Sequence, residues 1–246
     1  MPKSKLISAA AILLLLWYIA AVLLKSSFLP YPHSVFLVLP ESVGKDLGRH
    51  FLISLYRILT SLAASVVLAV PLGLYLGRRR KLDDLISPMV YLLYPIPKIV
   101  FLPLVLLIFG LGDLSKIFIL FIILFFQILV TTRDASKGID EEQVLSIRSL
   151  GADSRQVFLH AIFPACLPKV LTSLRISIGT SIAVLFFVES FATNSGLGFY
   201  ILDAWSTLDY LGMYNGIVMM GVLGVMLYEV VERIEKKYCL WMFELP

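Results

Sequence analysis

"RSLGADSRQVFLHAIFPACLP", residues 148–168, interrupts a chain that is otherwise rich in apolar residues. Ahead of it, Val144, Leu145, Ile147 and Leu150 recur at spacings of one to three with polar residues between, the pattern of an amphipathic helix over 140–150. Gly151 breaks that pattern. Beyond it, Asp153 or Ser154 is placed to cap a second short helix whose Val157, Phe158, Ala161 and Ile162 share one face, and Pro164 and Pro168 are expected to close it. The unit reads as helix, glycine turn, helix and proline exit. It presents a compact tip around Ser149 to Gln156 that a cytosolic partner can grip. The same pattern also suits an inert amphipathic connector lying on a membrane surface.

The surroundings of this stretch fix the class of protein. Hydrophobic residues make up 59% of the chain and charged residues 15%, with a mean hydropathy of +0.90, a balance foreign to a water-soluble domain of this length. Crossing about 30 Å of hydrocarbon at about 1.5 Å per residue takes roughly 20 apolar residues. Six runs of that kind stand at 6–24, 51–76, 85–109, 114–130, 170–191 and 216–231. They are continuous rather than alternating, which excludes a barrel. Lys3 and Lys5 resemble the start of a signal peptide, but the apolar run is long and "AAVLLKSS" is a poor cleavage site, so an uncleaved helix is expected. The expected fold is all-α, a single membrane domain over residues 1–246, with 132–168 as a cytoplasmic loop and no soluble globular domain.

Basic residues orient the spans, because Lys and Arg near helix ends resist translocation. One set of ends carries Lys3, Lys5, Arg78 to Lys81, Arg133, Lys137, Arg148, Arg155, Lys169, Arg233, Lys236 and Lys237, whereas the other carries chiefly Lys25, Lys45, Arg49 and Lys116. Both termini are therefore expected in the cytoplasm, together with the 148–168 stretch. The net charge of +4 follows from that asymmetry and gives no argument for nucleic acid. Cys166 and Cys239 have no paired spacing, and His33, His50 and His160 have no ligand-like spacing, so neither a disulfide nor a metal site is expected.

Several residues break the apolar pattern. Pro88, Pro95, Pro97 and Pro103 fall in the third run, which must be kinked or broken, since each proline removes a donor and crowds the preceding turn. The kink suits either helix packing or the wall of a solute pathway, and Lys98 within the same run favours a place facing protein or water. Glu189 near the external end of the fifth run reaches the headgroups or serves a pathway. Arg57, near the start of the second run, is expected to snorkel to the surface. "GLGF" at 196–199 lacks a Walker lysine and a preceding strand and reads as a turn. The proline-rich segment 25–50 is expected to lie along the external membrane surface.

The 148–168 stretch resembles the cytoplasmic loop of inner-membrane permease subunits of binding-protein-dependent ABC importers. In that loop Glu-Ala-Ala is followed by three residues, a Gly, about nine residues and Ile-x-Leu-Pro. Gly151 and Pro164 stand at its Gly and Pro, with Ala161 for Ile and Phe163 for Leu, whereas Leu145, Ser146 and Ile147 replace Glu-Ala-Ala, so the acidic residue is lost. "SLYRILTSLAASVVLAVPLGLYLG", "YPIPKIVFLPLVLLIFGLGD" and "LRISIGTSIAVLFFVESFATNSGLGFYI" are similar, in order and spacing, to the nitrate, sulfonate and taurine branch of these permeases.

The resemblance implies six transmembrane helices in a type I ABC importer permease fold, a second permease copy, most simply the same chain, two cytosolic ATPases and an extracytoplasmic solute-binding protein. This chain would bind no cofactor, with ATP and magnesium held on the partner ATPase. Ser149, Leu150, Gly151, Ala152, Asp153, Arg155 and Gln156 would form the docking surface for the ATPase. Tyr94, Pro95, Pro97, Lys98, Thr180, Ser181 and Glu189 would belong to the translocation pathway of a small solute, by branch similarity an anion such as a sulfonate or nitrate. Two other classes fit less well. An ion-gradient-driven secondary transporter would show repeated halves with intramembrane carboxylates, and an embedded enzyme would show acidic or histidine sets at catalytic spacing.

Overall fold

The computed structural model describes residues 3–191 and 193–242, which form helices and short turns with no strand among them. Helices suit the apolar runs because each satisfies its own backbone polar groups where water is absent. The first helix is α1 (Lys3–Leu24), followed by α2 (Pro32–Ser42), α3 (Gly48–Arg78), α4 (Arg80–Leu93), α5 (Leu102–Phe109) and α6 (Asp113–Lys137). After these come α7 (Glu141–Ser149), α8 (Ser154–Val157), α9 (Phe163–Ser190), α10 (Leu197–Ser206) and α11 (Tyr210–Tyr238). Four helical stretches among the described residues are long and apolar enough to cross a membrane: Ile7–Leu24, Pro32–Arg78, Asp113–Lys137 and Ser154–Ser190. Arg80–Leu93 and Lys98–Phe109, bent by 76°, make a fifth if the pair is one broken span.

Two sequence expectations change here. The 25–50 segment is not a separate surface strip, since α2 runs through a π turn at Val43–Leu47 straight into α3. Pro32 sits in the first turn of α2, where its missing N–H has no partner to lose and its fixed φ favours the helix. Pro164 and Pro168 likewise do not end the second loop helix, which continues from Ser154 to Ser190. A π turn over Phe158–Ile162 precedes Pro164, and the Phe163 N–H reaches back to the Phe158 carbonyl. The widened turn accommodates a ring that would crowd an ordinary one.

The chain forms two compact units, Met1–Leu55 with Glu189–Leu223 and Tyr56–Val188 with Gly224–Pro246. In the first, the Trp17 indole N–H donates to the Pro30 carbonyl at 3.1 Å and its ring stacks on Tyr214 at 5.4 Å between centroids. Asn215 donates to the Ser42 hydroxyl at 3.0 Å.

The second unit is organised by a stripe on α3. Arg57, Ser61, Ser65, Ala69, Gly73 and Gly77 recur every four residues, and the stripe lies against α6. Ser61 donates to the Ile117 carbonyl at 3.0 Å and Ser65 to the Phe121 carbonyl at 3.1 Å, each partner 56 residues further on. The offset persists down the helix: a Cβ at Gly73 would lie 2.9 Å from the Leu129 carbonyl oxygen, and one at Gly77 2.5 Å from that of Arg133. A constant offset means that the two helices run parallel, and small residues let their backbones meet. Arg57 does not snorkel. It is 1% exposed, and its Nε and Nη2 donate to Asp113 at 2.8 and 2.6 Å. Asp113 begins α6 at the matching height, so the charge is paired within the protein.

Candidate functional site

The 138–153 segment is built from the end of α6 outward. α7 begins after Asp140 and ends at Ser149, and the Gly151 N–H closes the turn on the Arg148 carbonyl at 2.9 Å. Gly151 has φ +88°, a conformation that a side chain disfavours, and a Cβ there would meet no atom within 4 Å. Asp153 then caps α8 as the spacing predicts. Its carboxylate accepts from the Gln156 N–H at 2.8 Å, and the Gln156 side chain accepts from the Asp153 N–H at 2.9 Å.

What holds the tip is apolar. Val144, Val157, Ile162 and Cys166 are buried with Leu74 of α3 and Ala135 of α6, and Ile139, Ile147 and Ala152 pack against them. The loop helices thus lie on the ends of two long helices, α3 and α6. Of the seven expected docking residues, Ser149, Leu150, Gly151, Asp153, Arg155 and Gln156 are exposed, while Ala152 leans into the cluster. Leu150 is 87% exposed, the largest apolar projection of the tip.

A charged ladder joins α4 to α6 in the same unit. Asp83 accepts from Lys137 at 2.6 Å and from the Ser87 hydroxyl at 2.8 Å, and Arg133 donates to Ser87 at 3.0 Å and to Asp134 at 2.8 Å. Sequence reasoning counted Arg133 and Lys137 only as orientation charges and passed over Asp83. The matching four-residue steps Asp83/Ser87 and Arg133/Lys137 were the available signal. Further along, Arg175 pairs with Glu235, and its guanidinium sits 5.2 Å from the Tyr228 ring centre.

Of the expected pathway residues, Tyr94, Pro95, Pro97 and Lys98 come together where the third run breaks. α4 stops at Leu93, the prolines prevent a regular continuation, and a 3-10 turn over Lys98–Phe101 leads into α5. The Lys98 ammonium donates to the Tyr94 carbonyl at 2.6 Å and lies over the Tyr94 and Phe126 rings, 5.2 and 5.1 Å from their centres. Tyr94 and Pro95 also line a cavity of about 540 Å³ together with Ser87, Val130, Arg133 and Asp134. Thr180 and Ser181 lie on α9. Ser181 is 1% exposed and donates back to the Ile178 carbonyl at 2.7 Å, and Thr180 to that of Ile176 at 3.4 Å.

Glu189 belongs to the first unit, where it is fully buried. It does not extend to the surface. Its carboxylate accepts from the Ser54 hydroxyl at 2.8 and 2.9 Å and from the Gly198 N–H at 3.0 Å. Ser54 in turn accepts from the Leu197 N–H at 2.8 Å, and His50 accepts from the Gly196 N–H at 3.0 Å. These bonds tie the start of α10 to α3. Gly196, with φ +106°, makes the turn read from "GLGF", and the next residue already begins α10.

Comparison with known proteins agrees with this architecture. Residues 69–238 match the family described as the binding-protein-dependent transport system inner membrane component. A putative ABC transporter permease protein of Methanocaldococcus jannaschii is 31% identical over 242 residues, covering 96% of this chain and 91% of that protein. The taurine transport system permease protein of Escherichia coli is 29% identical over 243 residues, covering 96% and 88%. Permeases named for aliphatic sulfonates and for nitrate are relatives as well. A chain of the MetNI methionine ABC transporter, solved in inward-facing conformations, shares the fold with a TM-score of 0.64 at 21% identity, covering 78% of this chain and 95% of its own. These matches set aside the gradient-driven carrier and the membrane enzyme. The chain belongs to the binding-protein-dependent inner membrane components and is the permease subunit of an ABC importer of the nitrate, sulfonate and taurine type.

Proposed function

We propose that this permease carries a small anion, such as a sulfonate or nitrate, released to it by an extracytoplasmic binding protein, and that its 132–168 loop is the contact through which a separate ATPase drives transport. The observation that carries the coupling half is the tip itself: an exposed Leu150 and a left-handed Gly151, braced through Val144 and Val157 on the ends of α3 and α6. The anion half rests on the relatives named for aliphatic sulfonates and for nitrate.

In this reading α1, α3, the bent α4–α5 pair, α6, α9 and α11 are six spans in a type I arrangement, with both termini in the cytoplasm. α11 is 29 residues long, and its last turn carries Lys236 and Lys237, as a cytoplasmic end would. Two copies of the chain stand side by side in lipid, and each loop docks on one ATPase subunit. ATP and magnesium bind to the ATPase pair and none to this chain. Closure of that pair pushes both tips, α3 and α6 move with them, and the pathway opens toward the binding protein. Tyr94, Pro95, Pro97, Lys98, Thr180 and Ser181 are the pathway residues of this reading, and Glu189 shapes its external end.

The test is purification of the tagged permease in mild detergent, with and without Gly151→Glu. The wild type is expected to bring with it an ATPase bearing a Walker motif, whereas the variant, inserted at normal abundance, loses that subunit and ATP-driven uptake together. Normal uptake by Gly151→Glu at normal abundance would remove the docking assignment.

A further inference from the structure

Within the second unit, several cations of the long helices pair with carboxylates: Arg57 with Asp113, Arg133 and Lys137 with Asp83, Arg175 with Glu235. Lys98 is different. Its ammonium is held by one backbone carbonyl and two ring faces, and no carboxylate among the described residues pairs with it. An ammonium so held is fixed in place without being neutralised, because ring faces and carbonyls carry only partial negative charge. The position matters as much as the charge. Lys98 opens the 3-10 turn of the 76° break, where Pro95 and Pro97 leave the backbone irregular. Irregular backbone at membrane depth is tolerated only where protein covers it or water reaches it. Tyr94, which supplies one of the two rings, also lines the 540 Å³ cavity, a volume within the range of about 300–1,000 Å³ usual for small-molecule sites.

We infer that Lys98 is the charge-selecting residue of the pathway: the anionic head of the solute supplies the counter-charge that the protein withholds, at the break of the bent span and beside the Tyr94 cavity. The inference rests on the proposed reading of the solute as a small anion. The two ring contacts keep the ammonium from wandering to a surface acid, and the lack of a fixed partner leaves it available to each arriving solute. The site holds its ligand weakly, as a pathway must, since tight pairing would block release.

The experiment uses the permease with its ATPase in liposomes, with the binding protein supplied, and follows ATP-driven uptake of labelled taurine, ethanesulfonate and nitrate, with methyl ethyl sulfone as a neutral probe. Lys98→Met is expected to lower uptake of the transported anion at least tenfold, while Lys98→Arg stays within about threefold of wild type. Assembly with the ATPase stays unchanged in both. If Lys98→Met carries the anion as well as the wild type does, the selecting role is overturned and the anion reading stands. If assembly falls in step with uptake, Lys98 is a structural lysine and the inference is overturned. If the wild type moves the neutral probe, or neither ethanesulfonate nor nitrate, the anion reading and the inference fall together.

Discussion

The hydroxyl of Ser65 on α3 donates to the carbonyl of Phe121 on α6 at 3.1 Å, one rung of a contact that repeats every four residues with a constant offset in the chain. A serine at such a rung serves two ends. It is small enough for the backbones to approach, and its hydroxyl is satisfied by the neighbouring helix instead of standing bare in an apolar setting.

That contact predicts the outcome of enlarging the glycines at its lower end. Gly77→Leu is expected to destabilise the protein by about 1–3 kcal/mol or more, since even a Cβ would lie 2.5 Å from the Arg133 carbonyl oxygen, and α6 backbone cannot rotate away. Gly179→Ala, where a Cβ meets nothing within 4 Å, is the control. Thermal melting of the detergent-solubilised complex should separate the two. Equal melting of Gly77→Leu and wild type would rule out the close α3–α6 approach.

The carboxylate of Glu189 predicts a local effect at the start of α10. Glu189→Ala leaves the Gly198 N–H without its acceptor and Ser54 without its carboxylate partner, a loss of about 1–3 kcal/mol for each buried group left unmet. Amide exchange at Leu197 and Gly198 should accelerate. Gly196→Ala should do the same, because φ is +106° there and the added methyl would overlap the Glu189 carboxylate. Unchanged exchange in both variants would show that other contacts hold this turn.

The loop tip predicts a pattern of thiol reactivity. Leu150→Cys should react with a maleimide at close to stoichiometric yield, as a side chain 87% exposed allows. The native Cys166 and Cys239 should stay unlabelled in the folded protein, being 1% and 0% exposed. Burial also pushes the Cys239 thiol up from its ordinary range, so its reactive thiolate is scarcer still at neutral pH. Added ATPase should protect the introduced cysteine. Intact-mass measurement reads all three thiols, and fast labelling of the native pair would contradict their burial.

Much of this protein was legible from local pattern. Continuous apolar runs announce helices whatever they pack against, and Asp153 with Gln156 three residues on announces a cap, since a capping box is closed within one turn. Gly151 announces its turn for the same reason: the conformation it adopts is a property of its own backbone. The family followed from motifs of the same local kind.

Partners distant in the chain were not legible. The sequence shows that Arg57 and Glu189 are charges inside apolar runs, and such charges can snorkel, line a pathway or pair internally. Only the packing of α3 on α6 brings Asp113 to Arg57, and only the turn at Gly196 brings the Gly198 amide to Glu189. The prolines make the same point. Pro164 reads as a helix end from sequence, because the π turn that absorbs it is stabilised by burying Val157 and Ile162 against Leu74 and Ala135. Sequence alone therefore established that the long apolar runs are helical and which family they serve. Tertiary structure decided which charges are neutralised, which prolines are tolerated and that the Lys98 ammonium rests on ring faces, because each of these depends on atoms that meet only when distant helices pack.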